Sequence, residues 1–414
     1  MMIRRRTMFR RIAPAALLLL GTTLAPLPSA FAQPGPDDPA PVQPVPPKAA
    51  SQPRIEVVFV LDTTGSMSGL IQSAKDKIWS IANALAVAEP APHIRMGLVA
   101  FRDRGDEYVT KRFDLSDDLD MMYRELMGFT ADGGGDGPES VNQGLREAVE
   151  LMPWSEDAET YKVIFLVGDA PPHMDYENDV KYAATCEAGV KKNIVFNTIQ
   201  CGSEAETTPI WQEIARLGEG NMFTVSQDGG AKVIATPFDE DLAKAAKDVD
   251  ATRLWWGSAE KQAAQKARDA ATDDIYRGSS SSAQAARAEY NNSEAGGRNW
   301  IGSANELIHD LADGKLKLAD IKDEELPENM RKMTAEEREA FVKEKAAERE
   351  ALQKQIDELS KKRAAFIAAE QAKQSAGKPT WESAVFGSMK DQAARLGIKL
   401  EKAQPKAPTD GDGK

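Results

Sequence analysis

Apolar, strand-like runs alternate with segments of helical spacing from Arg54 to about Asp250 of this chain. Val57-Val58-Phe59-Val60-Leu61 and Val163-Ile164-Phe165-Leu166-Val167 are the clearest. A strand with one wet face alternates apolar and polar residues, so an uninterrupted run implies cover on both faces. After the first run, Leu70, Ile71, Ala74, Ile78, Ile81, Ala82 and Leu85 recur at the spacing of one helical face. Further strands are read at Ile94 to Phe101, Ile194 to Ile199 and Asn221 to Val225, with a short edge strand at Tyr108 to Phe113. Helices are read at Leu119 to Met127, Pro138 to Leu151, Asp179 to Lys191, Thr208 to Leu217 and Phe238 to Val249, with Thr208 as a cap and Pro138 in a first turn. This rhythm predicts an α/β fold over residues 54–250: a Rossmann-like, doubly wound, mostly parallel sheet with helices on both faces.

Polar clusters stand where such strands end, and the carboxyl ends of strands are the usual ligand site of an open α/β sheet. The first is Asp62-Thr63-Thr64-Gly65-Ser66-Met67-Ser68, directly after Leu61. A carboxylate with hydroxyls two and four residues on can converge in a tight turn, and such oxygen donors suit hard cations. The second is Gly133-Gly134-Gly135-Asp136-Gly137-Pro138-Glu139, and the third is Gly168-Asp169-Ala170-Pro171-Pro172-His173, directly after Val167. His173 reads either as a ligand contact or as a structural loop residue. Arg102 and Arg104 read as a charge-paired surface loop or as steering groups for an acidic partner.

Asp62-x-Thr64-x-Ser66 resembles the Asp-x-Ser-x-Ser signature of von Willebrand factor A domains, over about half of the chain. Asp136-Gly137-Pro138-Glu139 and Asp169-Ala170 are similar to the Asp-x-Pro-Glu loop and the Asp-Ala step of the integrin β I-like domain. The resemblance implies a metal-ion-dependent adhesion site holding Mg2+ or Mn2+. Thr64, Ser66 and Glu139 would touch the ion, with Asp62 and Asp169 close or bridged by water. Most other A domains use a threonine in the second loop, and in that frame Asp136 replaces Glu139 as the ligand. Spacing to the following helix favours Glu139. The likeness further suggests a flanking Ca2+ site from Asp136 and Asp103, although the asparagine that family uses there is Gly134 here. Ser68 and Gly69 stand where a third, adjacent site would need acidic residues.

The chain's ends carry different information. Arg4, Arg5, Arg6, Arg10 and Arg11 precede an apolar stretch from Ile12 to Leu20, and Ala30-Phe31-Ala32 forms a small-x-small site. This order predicts a secretory signal peptide over residues 1–32, cleaved between Ala32 and Gln33, with no membrane span left afterwards. Cleavage leaves 47 basic against 65 acidic residues, a net charge near −18, which disfavours nucleic acid as a partner. Residues 33–53 read as a Pro-rich spacer. Residues 251–401 read as helical, with Ser279 to Ser282 and Gly296-Gly297 as breaks. A capping box at Thr334 and Glu337 opens a charged helix over about 334–374. Phe341, Leu352, Ile356, Leu359 and Phe366 form a thin apolar stripe, which serves either a coiled coil and self-association or packing on the chain's own domain. Trp255-Trp256 reads as packing the preceding helix on this region, and residues 402–414 as a disordered tail. Cys186 and Cys201 read as two separate thiols or as a disulfide in an export compartment.

Together these features predict an exported protein, periplasmic or extracellular, that binds a protein ligand whose acidic side chain completes the metal's coordination. An envelope scaffold acting through the C-terminal helices is the alternative. A metal-assisted or serine hydrolase using Ser66 and His173 is disfavoured. Ser66 lacks a Gly-x-Ser-x-Gly setting, and no Walker A or dinucleotide fingerprint occurs.

Overall fold

The computed structural model describes residues 52–69, 71–225, 234–300, 305–375 and 381–400. The signal, its cleavage site, nearly all of the spacer and the tail therefore lie outside the described residues. Six strands form the main sheet: β1 (Arg54–Asp62), β3 (His93–Phe101), β4 (Thr110–Ser116), β5 (Tyr161–Gly168), β6 (Ile194–Cys201) and β7 (Met222–Val225). Their spatial order is β4-β3-β1-β5-β6-β7, and only β4 runs antiparallel. The edge strand begins two residues later than the sequence suggests. A short pair, β2 (Ala88–Glu89) with β8 (Lys399–Leu400), lies outside this sheet.

Side chains of β1 alternate between two cores, which explains its unbroken apolar run. Val57, Phe59 and Leu61 face one cluster, and Val58 and Val60 face the other. The second cluster is closed by α3 (Val141–Glu150), α4 (Tyr182–Val190) and α5 (Thr207–Leu217). The first is closed by α1 (Ile71–Ala86) and α2 (Leu119–Gly128). Trp79 of α1 is fully buried there, with its ring 5.3 Å from that of Tyr123.

Helix α5 starts at Thr207, one residue before the expected cap. The Thr207 hydroxyl donates to the Asp169 carbonyl at 2.9 Å, and that of Thr208 donates to Gln200 and to the Glu204 carbonyl. These hydroxyls fix the turn as donors and so do not cap the helix as acceptors.

Beyond the sheet lie α6 (Asp239–Asp250), α7 (Ala259–Gly278), α8 (Ser281–Asn292), α9 (Glu294–Trp300), α10 (Leu307–Ala312), α11 (Ala335–Ser375) and α12 (Trp381–Ala394). Helix α6, read from sequence as the last helix of the α/β layer, packs instead on α8 and α11 through Leu242, Ala245, Ala246 and Val249. The sheet takes α12 in its place. Val385, Met389 and Ala393 enter the first core together with Ile398 and Leu400. Gln392 of α12 accepts from the Tyr161 hydroxyl at 2.6 Å and donates to Asn197 at 2.9 Å. No local signal marks α12 for this task, because its cover comes from residues far away in sequence. The described residues form one compact unit, so the α/β and helical parts are fused.

Helix α11 opens with the expected reciprocal cap: Thr334 N donates to Glu337 Oε2 at 2.8 Å, and Glu337 N donates to Thr334 Oγ1 at 3.2 Å. Its apolar stripe packs within the chain. Leu352, Ile356 and Leu359 meet α6 and α8, Phe341 joins the cluster around Leu307, and Phe366 meets Phe238 edge-on. Two buried arginines anchor it further, Arg349 on Glu306 and Arg363 on Asp239. The tryptophan pair donates to α7 and α10, Trp255 to Asp269 and Trp256 to Asp310. The Gly296-Gly297 step lies inside α9 and does not break it. Cys186 and Cys201 are both buried and free, and they belong to opposite cores of the sheet.

Candidate metal centre

The register of the parallel strands brings their carboxyl ends to one rim, with Asp62 level with Phe101 and Leu61 level with Val167. Backbone bonds then stitch the loops that follow. Gly65 N donates to the Gly133 carbonyl at 3.1 Å and Asp132 N to the Thr63 carbonyl at 3.1 Å. Glu139 N donates to Pro171 O at 2.9 Å, and His173 N to Glu139 O at 3.0 Å. The segment from Pro138 to Ser140 is used in this join, so α3 begins only at Val141. Gly133 and Gly134 have φ of 77° and 78°, a region that favours glycine. A Cβ on Gly133 would also collide with the Asp106 carboxylate, and one on Gly134 would press on Glu139 Oε1 and Thr64 Cβ.

These joins gather Asp62, Thr64, Ser66, Glu139 and Asp169. Asp62 Oδ1 accepts from Thr64 N at 2.9 Å and from Thr64 Oγ1 at 2.6 Å. Ser66 Oγ lies 3.2 Å from Thr64 Oγ1 and donates to Asp169 Oδ1 at 2.9 Å. Asp62, Thr64, Glu139 and Asp169 are buried, while Ser66 is exposed. Asp62 Oδ2 and Glu139 Oε2 are buried, and neither has a hydrogen-bond partner among the described residues. Burial pushes Asp62 up to about 7, against the hydrogen bonds of Thr64 that lower it. Burial likewise pushes Glu139 up to about 9, helped by the charges of Asp62, Asp103, Asp106 and Asp169. Asp169 is also raised by burial, with Ser66 pulling the other way. Orphaned buried carboxylate oxygens beside two hydroxyls fit a hard divalent cation, which suits several oxygen ligands.

Asp136 goes elsewhere. Its side chain is 63% exposed and lies with Asp103 and His173, whose ligand atoms are all within 4.8 Å of one another. The aspartate of the Asp-x-Pro-Glu loop thus lies beside Asp103 and His173, while its glutamate feels the charges of Asp62, Asp103 and Asp169. His173 is buried and its ring stacks on Tyr176 with centroids 4.0 Å apart. Burial opposes charge on its imidazole, but Asp175, Asp103 and Asp136 outweigh burial and raise it.

Arg102 is a buried clamp and does not face outward as a steering group. It donates to the Thr63 carbonyl at 3.1 Å and the Thr130 carbonyl at 2.8 Å, tying the first loop to the second. Arg104 pairs with Asp179 and covers the Tyr176 ring. Asp175 and Tyr176 meet His173 from two and three residues away, and Asp106 meets Asp103 from three, while the bonds from Tyr176 to Asp103 and from Gly134 to Asp106 join separate loops.

A family model described as von Willebrand factor A domain matches residues 56–227. These residues form a von Willebrand factor A domain. The A domain is a protein-interaction domain, and A domains often hold a divalent metal. An alpha-protein kinase of Dictyostelium discoideum is 28% identical over 122 residues, covering 29% of this chain and 19% of that protein. The match spans less than a fifth of the length of the curated relatives. Among solved structures, proximal thread matrix protein 1 from the mussel byssus is 18% identical, at a TM-score of 0.33 and covering 43% of each chain. The SpRpn10 A domain is 15% identical, with a TM-score of 0.33, covering 44% of this chain and all of that one. No helix among the described residues is long and apolar enough to cross a membrane.

Proposed function

We propose that this chain is an exported, non-enzymatic binding protein whose A domain captures an acidic group of a protein partner through Mg2+ or Mn2+. The observation that carries the reading is the pair of orphaned buried oxygens, Asp62 Oδ2 and Glu139 Oε2, beside the hydroxyls of Thr64 and Ser66. In this reading Thr64, Ser66 and Glu139 hold the ion, while Asp62 and Asp169 orient the hydroxyls. A bound divalent ion supplies the positive charge that lets an acidic protein recruit an acidic partner. Ser66, the exposed member, marks the side from which the partner's carboxylate arrives. The basic and apolar start of the sequence supports export, to the periplasm or beyond.

Two observations disfavour hydrolysis at Ser66. Its hydroxyl donates to Asp169, and among the described contacts none joins it to His173, which engages Asp103, Asp136 and Asp175. A general base must lie within hydrogen-bond reach of the proton it takes. The scaffold reading draws support from the fusion of the two parts into one unit. A pull-down from envelope extract separates these readings. Partners retained in Mg2+ should be lost in EDTA and lost with Ser66→Ala. Equal capture under all three conditions would contradict metal-mediated binding and favour the helices.

A further inference from the structure

We propose that Asp103, Asp136 and His173 form a second metal site that takes a transition cation of the Zn2+ class. This site goes beyond the hard-cation reading and does not rest on it. The flanking site implied by the integrin likeness would use carboxylates and an amide, but that amide's place is Gly134 here. The third ligand is instead an imidazole from the loop after β5.

The histidine is what makes this more than an acidic cluster. Its side chain is only 6% exposed, and Nε2 is buried without a hydrogen-bond partner among the described residues. That nitrogen lies 3.4 Å from Asp103 Oδ2 and 3.5 Å from Asp136 Oδ1. Ligands about 2.0–2.2 Å from a tetrahedral ion stand roughly 3.3–3.5 Å apart, so both spacings match edges of such a coordination shell. The other ring nitrogen is already committed, since Nδ1 lies 2.8 Å from Asp175 Oδ1. A proton shared there leaves the Nε2 lone pair facing the two carboxylates. This is the carboxylate–histidine–metal arrangement that fixes a ligand's tautomer. Asp103 is held in turn by Ser140 Oγ at 2.9 Å and by the Tyr176 hydroxyl at 2.8 Å. Tyr176 also stacks on the His173 ring, so one residue orients two ligands. Asp136 is the third ligand and lies on the exposed side of the site.

One imidazole with two carboxylates suits Zn2+, Fe2+, Co2+ or Ni2+ better than Mg2+ or Ca2+, which prefer all-oxygen shells. Three protein ligands leave a fourth position for water or a partner group.

The test uses the full chain, stripped of metal and then held in excess Mg2+, with Co2+ as the probe. Co2+ takes Zn2+-type sites and its visible bands report nitrogen and oxygen ligation. The expected result is one saturable equivalent of Co2+, displaced by Zn2+. His173→Gln should weaken it at least about 100-fold, since it removes a direct ligand where lost outer-shell support alone costs 10–100-fold. Asp136→Asn, at an exposed side chain that does not support the fold, should weaken it at least about tenfold. Ser66→Ala should leave it unchanged, which separates failure here from failure of the first site. No saturable Co2+ in the unmodified chain, or unaltered affinity and spectrum in either His173→Gln or Asp136→Asn, would overturn the proposal.

Discussion

Buried carboxylates occur in two parts of this molecule with opposite company. Where the helical layer meets α2, Arg287 lies between Asp120 and Asp250, at 2.5 Å and 2.9 Å. Asp239 meets Arg363 at 2.8 Å, and Glu306 meets Arg349 at 2.8 Å. At the strand ends, Asp62, Glu139 and Asp169 have no arginine or lysine partner among the described ion pairs, only hydroxyls, amides and one another. The titration directions follow. Burial raises Asp239 and Asp250, but their arginine partners and hydrogen bonds outweigh it and bring them below the ordinary carboxylate value. Asp62 and Glu139 are driven upward. Asp120, Asp239, Asp250 and Glu306 thus each have a guanidinium beside them. Asp62, Glu139 and Asp169 have none among the described residues, which is what the proposed cation would answer.

Breaking the helical side of this comparison should have the largest effect. Arg287→Ala leaves Asp120 and Asp250 buried without their shared partner. Unfolding in urea should show a loss of about 3–5 kcal/mol, the range for removing one member of a buried pair. A loss below about 1 kcal/mol would put Asp120 and Asp250 on the same footing as the rim.

Acid should separate the two regions next. The arginine-partnered aspartates have folded values below their unfolded value of about 3.9. They contribute stability that is present above pH 4 and lost as the pH falls through their folded values. Hydrogen exchange should therefore show α6 and α8 losing protection below about pH 4. Protection of these helices that stays flat down to pH 2 would contradict the pairing.

The smallest effect should carry the opposite sign. Glu139→Gln, measured in chelator near neutral pH, replaces a carboxyl whose ionisation the folded rim resists, and should stabilise the chain. The gain should be roughly 0.5–1 kcal/mol, since part of the rim is open to solvent. Destabilisation of similar size would mean that the metal-free loops rely on an ionised Glu139.

Much of this was readable from sequence where a signal is local. The strands β1 and β5 declare themselves because both faces are buried, which gives each a run of five apolar residues; β6 is also buried but carries Asn197, Thr198 and Gln200. The edge strand β4 has one covered face and a weaker pattern, and its boundaries shift. The first and third rim loops were visible because each follows such a strand directly; the second comes after α2 and shows through its glycines and its two carboxylates. The different surroundings of Asp136 and Glu139 were not visible, because four neighbouring residues offer two carboxylates and spacing alone leaves both frames open. Nor was Arg102's burial, which depends on carbonyls at Thr63 and Thr130. The exchange of α6 for α12 on the sheet is purely tertiary. Both helices offer an apolar face, and only the packed chain decides which one the sheet receives.

Magnesium calorimetry on the metal-stripped chain tests the reading of the rim most directly. One saturable site is expected, disappearing with Ser66→Ala while the fold is retained. Absence of any magnesium heat in the intact chain, or the same isotherm with and without the Ser66 hydroxyl, would mean that the unpartnered carboxylates are not a cation's seat.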